Sequence, residues 1–368
     1  MKFLLPAAQR EQHEQRKQRE RRNSQLTIFR PGGLMASAER LCRPGQHNDA
    51  NKMPTTPTIP MRHRAHALLL AALLIVAPAC FAGPAELDPP ATDLHETIVQ
   101  VPMTEHGLLG DTQRELVATT YMPDGPGPFP LIVLSHGNPP NAIDRVKVGR
   151  YRKLAQIRAF VGLGFAVIVP IRRGYGATGG SFAEDTGHSC DHADFDTAAK
   201  EAAQDLLATI AYADTLPQVD RNHIVLVGQS AGGFASLAAA SEAPKGLVAV
   251  VNFSGGRGGR PSTHPGAPCA PERMAETMGH FGSTIQIPVL WHYVENDQYF
   301  APDVVKTWFS AFQAAGGKGE LVFEAPFGRD GHGMFAVDRA LPIWWPHFEQ
   351  FIATVVPLSH TAASTPSS

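Results

Sequence analysis

The sequence predicts an α/β protein with a mostly parallel central sheet and helices on both of its faces. From Glu96 onward, runs rich in β-branched residues alternate with segments whose apolar residues recur at helical spacing. Several of the β runs, such as PLIVLSHG at 130–137, are apolar without alternation, which is typical of strands buried on both faces. Strands joined by crossover helices pair in parallel and are covered on both sides.

The sequence also predicts the individual strands and helices. ETIVQV (96–101) and ELVATTYM (115–122) predict an antiparallel opening pair. Further strands are predicted at 130–137, 165–174, 223–227, 247–253, 287–294 and 320–324. Helices are predicted at 151–163, from Asp194 as an N-cap, from Gly232, from Asp303 and from Phe335. The stretch 255–282, rich in Gly, Pro and Arg, is expected to be a short insertion between strands rather than a full lid domain.

The residues before the sheet predict an extension followed by an export signal. Residues 1–60 carry 11 Lys and Arg against 5 Asp and Glu and show no apolar period, so we expect a disordered extension. Residues 61–82 contain a basic start, an apolar core and small residues at a cleavage site, as a signal peptide does. Translation is therefore expected to start at Met53 or Met61, which would make the extension a mis-annotated start.

The predicted signal peptide indicates where the protein is located and which partners it has. We expect a domain at 83–358, a disordered tail at 359–368, and export to the periplasm or beyond. Acylation of Cys80, giving a lipoprotein, is the alternative. The apolar core of the signal is too short for a comfortable membrane span. The net charge of −2 is the sum of a basic segment at 1–60 and an acidic segment at 83–368. The export signal argues against nucleic acid as the partner of the basic segment.

Two of the four cysteines would remain after processing. Cys190 and Cys269 are predicted to form a disulfide in an oxidising compartment, with two buried free thiols as the alternative. Such a bridge would pin the 255–282 insertion to the loop that carries Cys190. The segment HSCDHADFD (188–196) offers His, Cys and Asp, but not at the spacing of a known metal motif, so no metal is predicted.

A nucleophile is predicted where a buried strand meets a helix of small residues. GQSAG at 228–232 fits G-x-S-x-G in the context of a nucleophile elbow, with Ser230 at its centre. A sharp turn brings backbone close to backbone, which explains the flanking glycines. The turn also places the amide of Ala231 at a helix N-terminus, where an oxyanion is stabilised. The loop after the third strand, SHGNPP, should supply a second amide, and Asn138 is favoured because the prolines that follow have no N–H.

A serine hydroxyl needs a base, and the base needs a carboxylate that orients it. His332, between two glycines after the last predicted strand, is the predicted base. The carboxylate should lie between serine and histidine in the chain. Asp297 is favoured there, with Glu295 left as the alternative because both follow the same strand. Asp330 is interpreted as a turn residue.

Together these segments resemble the α/β-hydrolase superfamily over roughly 96–355. The triad order Ser230, Asp297, His332 is the order that this superfamily shows. The segments HG, RRGYGATGGS (172–181), GQSAGG and END are most similar to the dienelactone hydrolase and prolyl oligopeptidase branch. Two departures stand out: dienelactone hydrolases carry a cysteine nucleophile, and prolyl oligopeptidases add a large N-terminal propeller.

The resemblance implies an α/β-hydrolase fold and a serine hydrolase that cleaves carboxylic esters through an acyl-enzyme, with no cofactor and a small-molecule ester as partner. A peptidase or aminopeptidase of the same fold, or a binding protein that has lost catalysis, are the alternatives. Tyr175 and Trp291 are predicted to line the substrate pocket. Arg172 and Arg173 are predicted to tie loops together through buried ion pairs, with contact to an anionic substrate as the alternative. The acyl and alcohol groups of the substrate and the oligomeric state stay open.

Overall fold

The computed structural model describes residues 88–107, 110–187 and 189–357. The predicted basic extension, the signal peptide with Cys80, and the predicted tail at 359–368 lie outside these residues. In the part of the chain that the structure describes, no helix is both long and apolar enough to cross a membrane.

One sheet organises the described residues. Its eight strands stand in the spatial order β1-β2-β4-β3-β5-β6-β7-β8. The strands are β1 (Thr97–Gly107), β2 (Gly110–Tyr121), β3 (Phe129–Ser135), β4 (Ala166–Pro170), β5 (Val219–Gln229), β6 (Leu247–Phe253), β7 (Val289–Val294) and β8 (Gly319–Glu324). Only β2 pairs antiparallel with its described neighbours, β1 and β4, and the pairs from β4 to β8 are parallel.

Helices cover both faces of this sheet, as the sequence predicts. They are α1 (Leu154–Gly162), α2 (Phe195–Ala213), α3 (Ala231–Ser241), α4 (Pro271–Thr284), α5 (Pro302–Ala314) and α6 (Leu341–Ala353). The side chains of α1 and α6 belong to one apolar core, and those of α2 to α5 belong to the other. Successive residues of β3 alternate between the two cores, which explains its uninterrupted apolar run.

Local signals in the sequence explain where helices begin. Asp194 caps α2, because its side chain accepts a hydrogen bond from the amide of Thr197 at 2.9 Å. Pro271 and Pro302 open α4 and α5 in the first helical turn, where the missing N–H of proline costs no hydrogen bond.

Two predicted elements differ from the structure. The insertion at 255–282 is not entirely irregular, because its second half forms most of α4, which packs against α5. The final helix was expected from Phe335 but begins at Leu341, and the residues before it form short 3₁₀ turns at Gly331–Ala336 and Asp338–Ala340. Apolar spacing indicates the buried residues of such a segment but does not distinguish a 3₁₀ turn from an α-helix.

The parallel strands deliver four loops to one edge of the sheet. The loops that carry Asn138, Ser230, Asp297 and His332 follow the carboxyl ends of β3, β5, β7 and β8 in that order. Carboxyl ends of neighbouring parallel strands lie at the same edge, which is where ligands bind in open α/β sheets.

Candidate functional site

Ser230 stands on a strained turn between β5 and α3. Its φ of 56° and ψ of −123° are rare for a residue with a side chain. A Cβ on Gly228 would lie 2.1 Å from the carbonyl oxygen of Gly232, and a Cβ on Gly232 would lie 2.1 Å from that of Ser135. Glycine is therefore required on both sides of Ser230, and the turn has the geometry of the predicted nucleophile elbow.

His332 reaches this serine from the loop after β8. Its Nε2 lies 2.8 Å from the Oγ of Ser230, and the histidine is buried. Asp330 fixes the loop, because its side chain accepts hydrogen bonds from the amides of His332 and Gln298, both at 3.0 Å. Asp330 is thus a turn residue, as the sequence predicts.

Asp297 lies behind the imidazole. Its Oδ1 and Oδ2 are 3.1 and 2.9 Å from the Nδ1 of His332, and Oδ1 also accepts hydrogen bonds from the amides of Tyr299 and Phe300. Glu295, the alternative, is exposed. With an ionised carboxylate at Nδ1, that nitrogen carries the proton, so Nε2 presents its lone pair to Ser230.

Two aromatic rings enclose the imidazole. Tyr299 stacks on His332 with ring centroids 3.9 Å apart and planes inclined by 18°, and Phe300 meets it edge-on at 5.3 Å. Tyr299 and Phe300 follow Asp297 by two and three residues, and their amides donate hydrogen bonds to its carboxylate. One short segment therefore provides both the acceptor and the packing for His332. These two rings were not predicted from the sequence, although they follow Asp297 closely in the chain.

The loop after β3 passes directly over the serine. A Cβ on Gly137 would lie 3.3 Å from the Cβ of Ser230, so the loop backbone and the nucleophile are close neighbours. Ala231 is the first residue of α3, where amides have no partner within the helix. The structure therefore brings the Asn138 loop and the Ala231 turn to the same serine.

A buried histidine holds this loop. His136 accepts a hydrogen bond at Nε2 from the amide of Arg172 at 3.1 Å, and its Nδ1 donates to the carbonyl of Gly137 at 2.8 Å. Burial and the neighbouring Arg172 charge lower the pKa of His136 to about 3. The imidazole is neutral at ordinary pH, which is the state that these two hydrogen bonds require.

Glu184 is a buried carboxylate at the centre of the surrounding loops. It pairs with Arg172, which also donates to the Oγ of Ser135 and to the carbonyl of His136 at 2.8 and 2.6 Å. It also pairs with Arg257 of the insertion at 2.7 Å. Burial alone would raise the pKa of Glu184, but the two guanidinium charges outweigh it and lower this pKa to about 2.

Arg172 and Arg173 both form buried ion pairs, as predicted, but only Arg172 joins loops to each other. Arg172 faces the β3 loop, whereas Arg173 turns to α2 and pairs with Asp205 at 2.6 Å. Neither Glu184 nor Arg257 was found from the sequence, because nothing local marks a residue whose partners lie in other loops.

A disulfide joins two of these loops. Cys190 and Cys269 are bonded, with Cα atoms 5.0 Å apart. The first cysteine follows Glu184 by six residues, and the amide of the second donates to the carbonyl of Gly258, next to Arg257, at 2.7 Å. The bridge and the Glu184–Arg257 pair therefore fasten the same two segments.

The two predicted pocket residues are buried elsewhere. The prediction for Trp291 is wrong, because its side chain is fully buried in the core and packs on Phe309 and Phe312 of α5. Trp291 lies in the middle of β7, and its side chain is on the face of the sheet that packs against α5. Tyr175 is also fully buried, so it presents no surface to a substrate, but its hydroxyl lies 3.1 Å from both Asn138 Oδ1 and Glu184 Oε2.

No group of three or more His, Cys, Asp or Glu side chains suited to a metal ion occurs in the described residues. These residues include 189–196 of the His- and Cys-rich segment.

Comparison with known proteins gives one family match. Residues 111–283 match the model of the X-Pro dipeptidyl-peptidase (S15) family. No curated protein matches the chain.

Solved structures provide more distant matches. A putative dienelactone hydrolase from Klebsiella pneumoniae is 19% identical over 70% of this chain and 99% of its own, with a TM-score of 0.44. The acetyl xylan esterase from Paenibacillus sp. R4 is 17% identical over 72% of this chain and 89% of its own, with a TM-score of 0.46. The acylaminoacyl peptidase from Pyrococcus horikoshii is 14% identical over 72% of this chain and 43% of its own, with a TM-score of 0.48, so this chain spans less than half of that protein.

The sheet and the three side chains at its edge together identify the fold. A mostly parallel eight-stranded sheet among the described residues carries an elbow serine after β5, an aspartate after β7 and a histidine after β8. The elbow and the order of these three residues are those of hydrolases with this fold. The described residues have the α/β-hydrolase fold, and they place an aspartate, a histidine and a serine in contact at the edge of its sheet.

Proposed function

We propose that the protein is a serine esterase that cleaves carboxylic esters through an acyl-enzyme. The observation that carries this proposal is the continuous contact from Asp297 through His332 to Ser230, with 2.9 Å at Nδ1 and 2.8 Å at Nε2. Histidine in this tautomer accepts the proton of the serine, and the buried carboxylate stabilises the imidazolium that results. The proposed catalytic residues are Ser230, His332 and Asp297.

The reaction follows from this arrangement. Ser230 Oγ attacks the ester carbonyl while its proton passes to His332 Nε2, and the imidazolium then gives that proton to the departing alcohol. Water attacks the acyl-enzyme with His332 again acting as base, which releases the acid and restores the serine.

The proposed oxyanion hole consists of the amides of Ala231 and Asn138. The position of Ala231 at the start of α3 supports the first, because the N-terminus of a helix favours negative charge. The approach of the Gly137 backbone to Ser230 supports the second. Each such donor contributes about 3 kcal/mol to transition-state stabilisation in comparable sites.

A peptidase is the second candidate function, and the match to the X-Pro dipeptidyl-peptidase family favours it. An enzyme that binds a free peptide N-terminus needs negative charge beside the site to hold the ammonium group. Glu184, the buried carboxylate near the β3 loop, is already paired with Arg172 and Arg257. This pairing is why we favour esters over aminoacyl or prolyl amides.

The two functions are separated by activity on matched substrates. The described domain with its disulfide is assayed on p-nitrophenyl esters of increasing acyl length and on aminoacyl and Xaa-Pro p-nitroanilides. The proposal expects ester turnover that Ser230→Ala abolishes and little turnover of the anilides. Preferential cleavage of the anilides would favour the peptidase, and ester turnover that persists in Ser230→Ala would refute the assignment of the nucleophile.

We further infer that the protein is exported. The disulfide between Cys190 and Cys269 supports this inference, because such bonds persist in oxidising compartments. Mass spectrometry of the N-terminus of the mature protein from the native cell tests it. A free N-terminus close to residue 83 is expected, a diacylglyceryl group on Cys80 would indicate the lipoprotein, and an unprocessed chain in the cytoplasm would contradict export.

A further inference from the structure

We propose that Tyr175 is a positioning residue that orients the Asn138 loop for oxyanion binding, through a hydrogen-bond chain that runs from the Asn138 side chain to the Tyr175 hydroxyl and on to Glu184. This inference deepens the proposed function and rests on it. It assigns a role in the reaction to two buried groups, Tyr175 and Glu184, that touch no substrate.

The direction of the chain follows from counting protons. The Tyr175 hydroxyl lies 3.1 Å from Glu184 Oε2 and 3.1 Å from Asn138 Oδ1, but it has only one proton to donate. A carboxylate accepts a stronger hydrogen bond than a neutral amide oxygen does. The proton therefore goes to Glu184, and Tyr175 Oη is left as an acceptor for its other neighbour.

The Asn138 side chain must then meet Tyr175 with its nitrogen. With Nδ2 turned towards Oη, the amide donates to the hydroxyl, and both contacts become hydrogen bonds instead of one. The chain Asn138 to Tyr175 to Glu184 then has a single direction, because its far end is a fixed negative charge. This defines the rotamer and the amide orientation of Asn138, whose backbone N–H is the proposed oxyanion donor.

Glu184 provides a fixed end for this chain. Arg172 and Arg257 hold it from two sides, and Arg172 also binds Ser135 Oγ and the carbonyl of His136 in the same loop. Since Glu184 keeps its charge down to acid pH and the pKa of Tyr175 is raised to about 12 by burial, both groups hold one protonation state. The loop is therefore held in one arrangement before substrate arrives, as electrostatic preorganisation requires.

The molecule contains a matched copy of this arrangement away from the loop. Tyr121 is fully buried, as Tyr175 is, and its hydroxyl donates at 3.1 Å to Glu96. Glu96 is also held by two arginines, Arg150 and Arg152, at 2.9 and 2.7 Å. Phenylalanine at 121 therefore removes the same hydrogen bond from the same kind of cluster without touching Asn138.

The test compares Tyr175→Phe with Tyr121→Phe in the disulfide-bonded protein. Initial rates on a p-nitrophenyl ester give kcat and KM, and an alkylboronic acid, which forms a tetrahedral adduct on the serine, gives a Ki. For Tyr175→Phe we expect kcat to fall about tenfold, the boronate Ki to rise about tenfold and KM to stay within about twofold, because only the transition state carries the oxyanion. Tyr121→Phe should leave all three constants near wild type.

A double-mutant cycle keeps the proposal testable if Tyr175→Phe is unstable. Asn138→Ala retains the backbone amide but ends the chain, so adding Tyr175→Phe to it should cost much less than in the wild-type background. Equal kinetic losses in Tyr175→Phe and Tyr121→Phe, or full additivity in the cycle, would overturn the proposal while leaving the esterase assignment intact. A wild-type protein without ester turnover would instead refute the proposed function.

Discussion

Replacing Asp297 with asparagine tests how the site prepares its histidine. In the wild type, Asp297 Oδ1 accepts hydrogen bonds from the amides of Tyr299 and Phe300, at 2.7 and 3.0 Å. In Asp297→Asn, the side-chain oxygen keeps these two donors, and the NH₂ group must face Nδ1 of His332. Two donors cannot share that hydrogen bond, so the histidine moves its proton to Nε2 and can no longer accept the proton of Ser230.

The magnitude follows from the loss of the correct tautomer. In a serine protease triad, the corresponding change lowers kcat by about 10⁴, or about 5 kcal/mol in activation free energy. We expect a loss of about 10³ to 10⁴ in kcat here, with little change in KM, because the carboxylate of Asp297 is fully buried behind His332. Since size and backbone hydrogen bonds are kept, the melting temperature should change by only a few degrees.

The assay is steady-state hydrolysis of a p-nitrophenyl ester, with Glu295→Gln as the matched control. Glu295 also follows β7 but is exposed, so this variant should keep full activity. If Asp297→Asn retained more than about a tenth of wild-type kcat, or if Glu295→Gln lost as much as Asp297→Asn, the account of the histidine would be refuted.

Three further predictions concern stability. Gly232→Ala would place a Cβ 2.1 Å from the carbonyl oxygen of Ser135 and should lower the free energy of unfolding by about 2–4 kcal/mol, as measured by urea unfolding. Gly279→Ala in α4 is the control, because its Cβ would meet nothing closer than 3.8 Å, and it should raise this free energy by about 0.5–1 kcal/mol. Removing the disulfide as Cys190→Ser plus Cys269→Ser, which opens a loop of 79 residues, should cost about 4 kcal/mol in the chain-entropy model, and an unfolding midpoint unaffected by reductant would contradict this. The pKa of Glu184 falls from 4.5 in the unfolded chain to about 2 in the folded protein, so the stability that its charge contributes is complete above about pH 4.5 and is lost as the pH falls towards 2. Over that range, the free energy of unfolding of the wild type should fall by about 3 kcal/mol more than that of Glu184→Gln. Parallel pH profiles of the two proteins would count against the ion pair.

Most of the framework was predictable from local patterns. The predicted strand at 247–253 coincides with β6, and Asp194 caps α2 as expected, because a buried apolar run and a cap are properties of adjacent residues. The elbow is recognisable for the same reason, since Gly228 and Gly232 must be glycine for the turn to close.

The rest depends on contacts between distant segments. The choice of Asp297 over Glu295 required burial, which two carboxylates so close in sequence do not reveal. Trp291 was misplaced because a buried apolar strand does not show in sequence which face of the sheet each of its side chains joins. Glu184 was not identified, because its role depends on Arg257, which lies 73 residues further along the chain.

The most direct test of the central claim is covalent labelling of the nucleophile. The protein is treated with a fluorophosphonate, and its intact mass and tryptic peptides are measured for wild type, Ser230→Ala and His332→Ala. We predict one adduct per wild-type chain, located on Ser230, none in Ser230→Ala, and labelling slowed by several orders of magnitude in His332→Ala. An unlabelled wild type, or labelling of Ser230 at the same rate without His332, would contradict the claim that these side chains act together as an activated nucleophile.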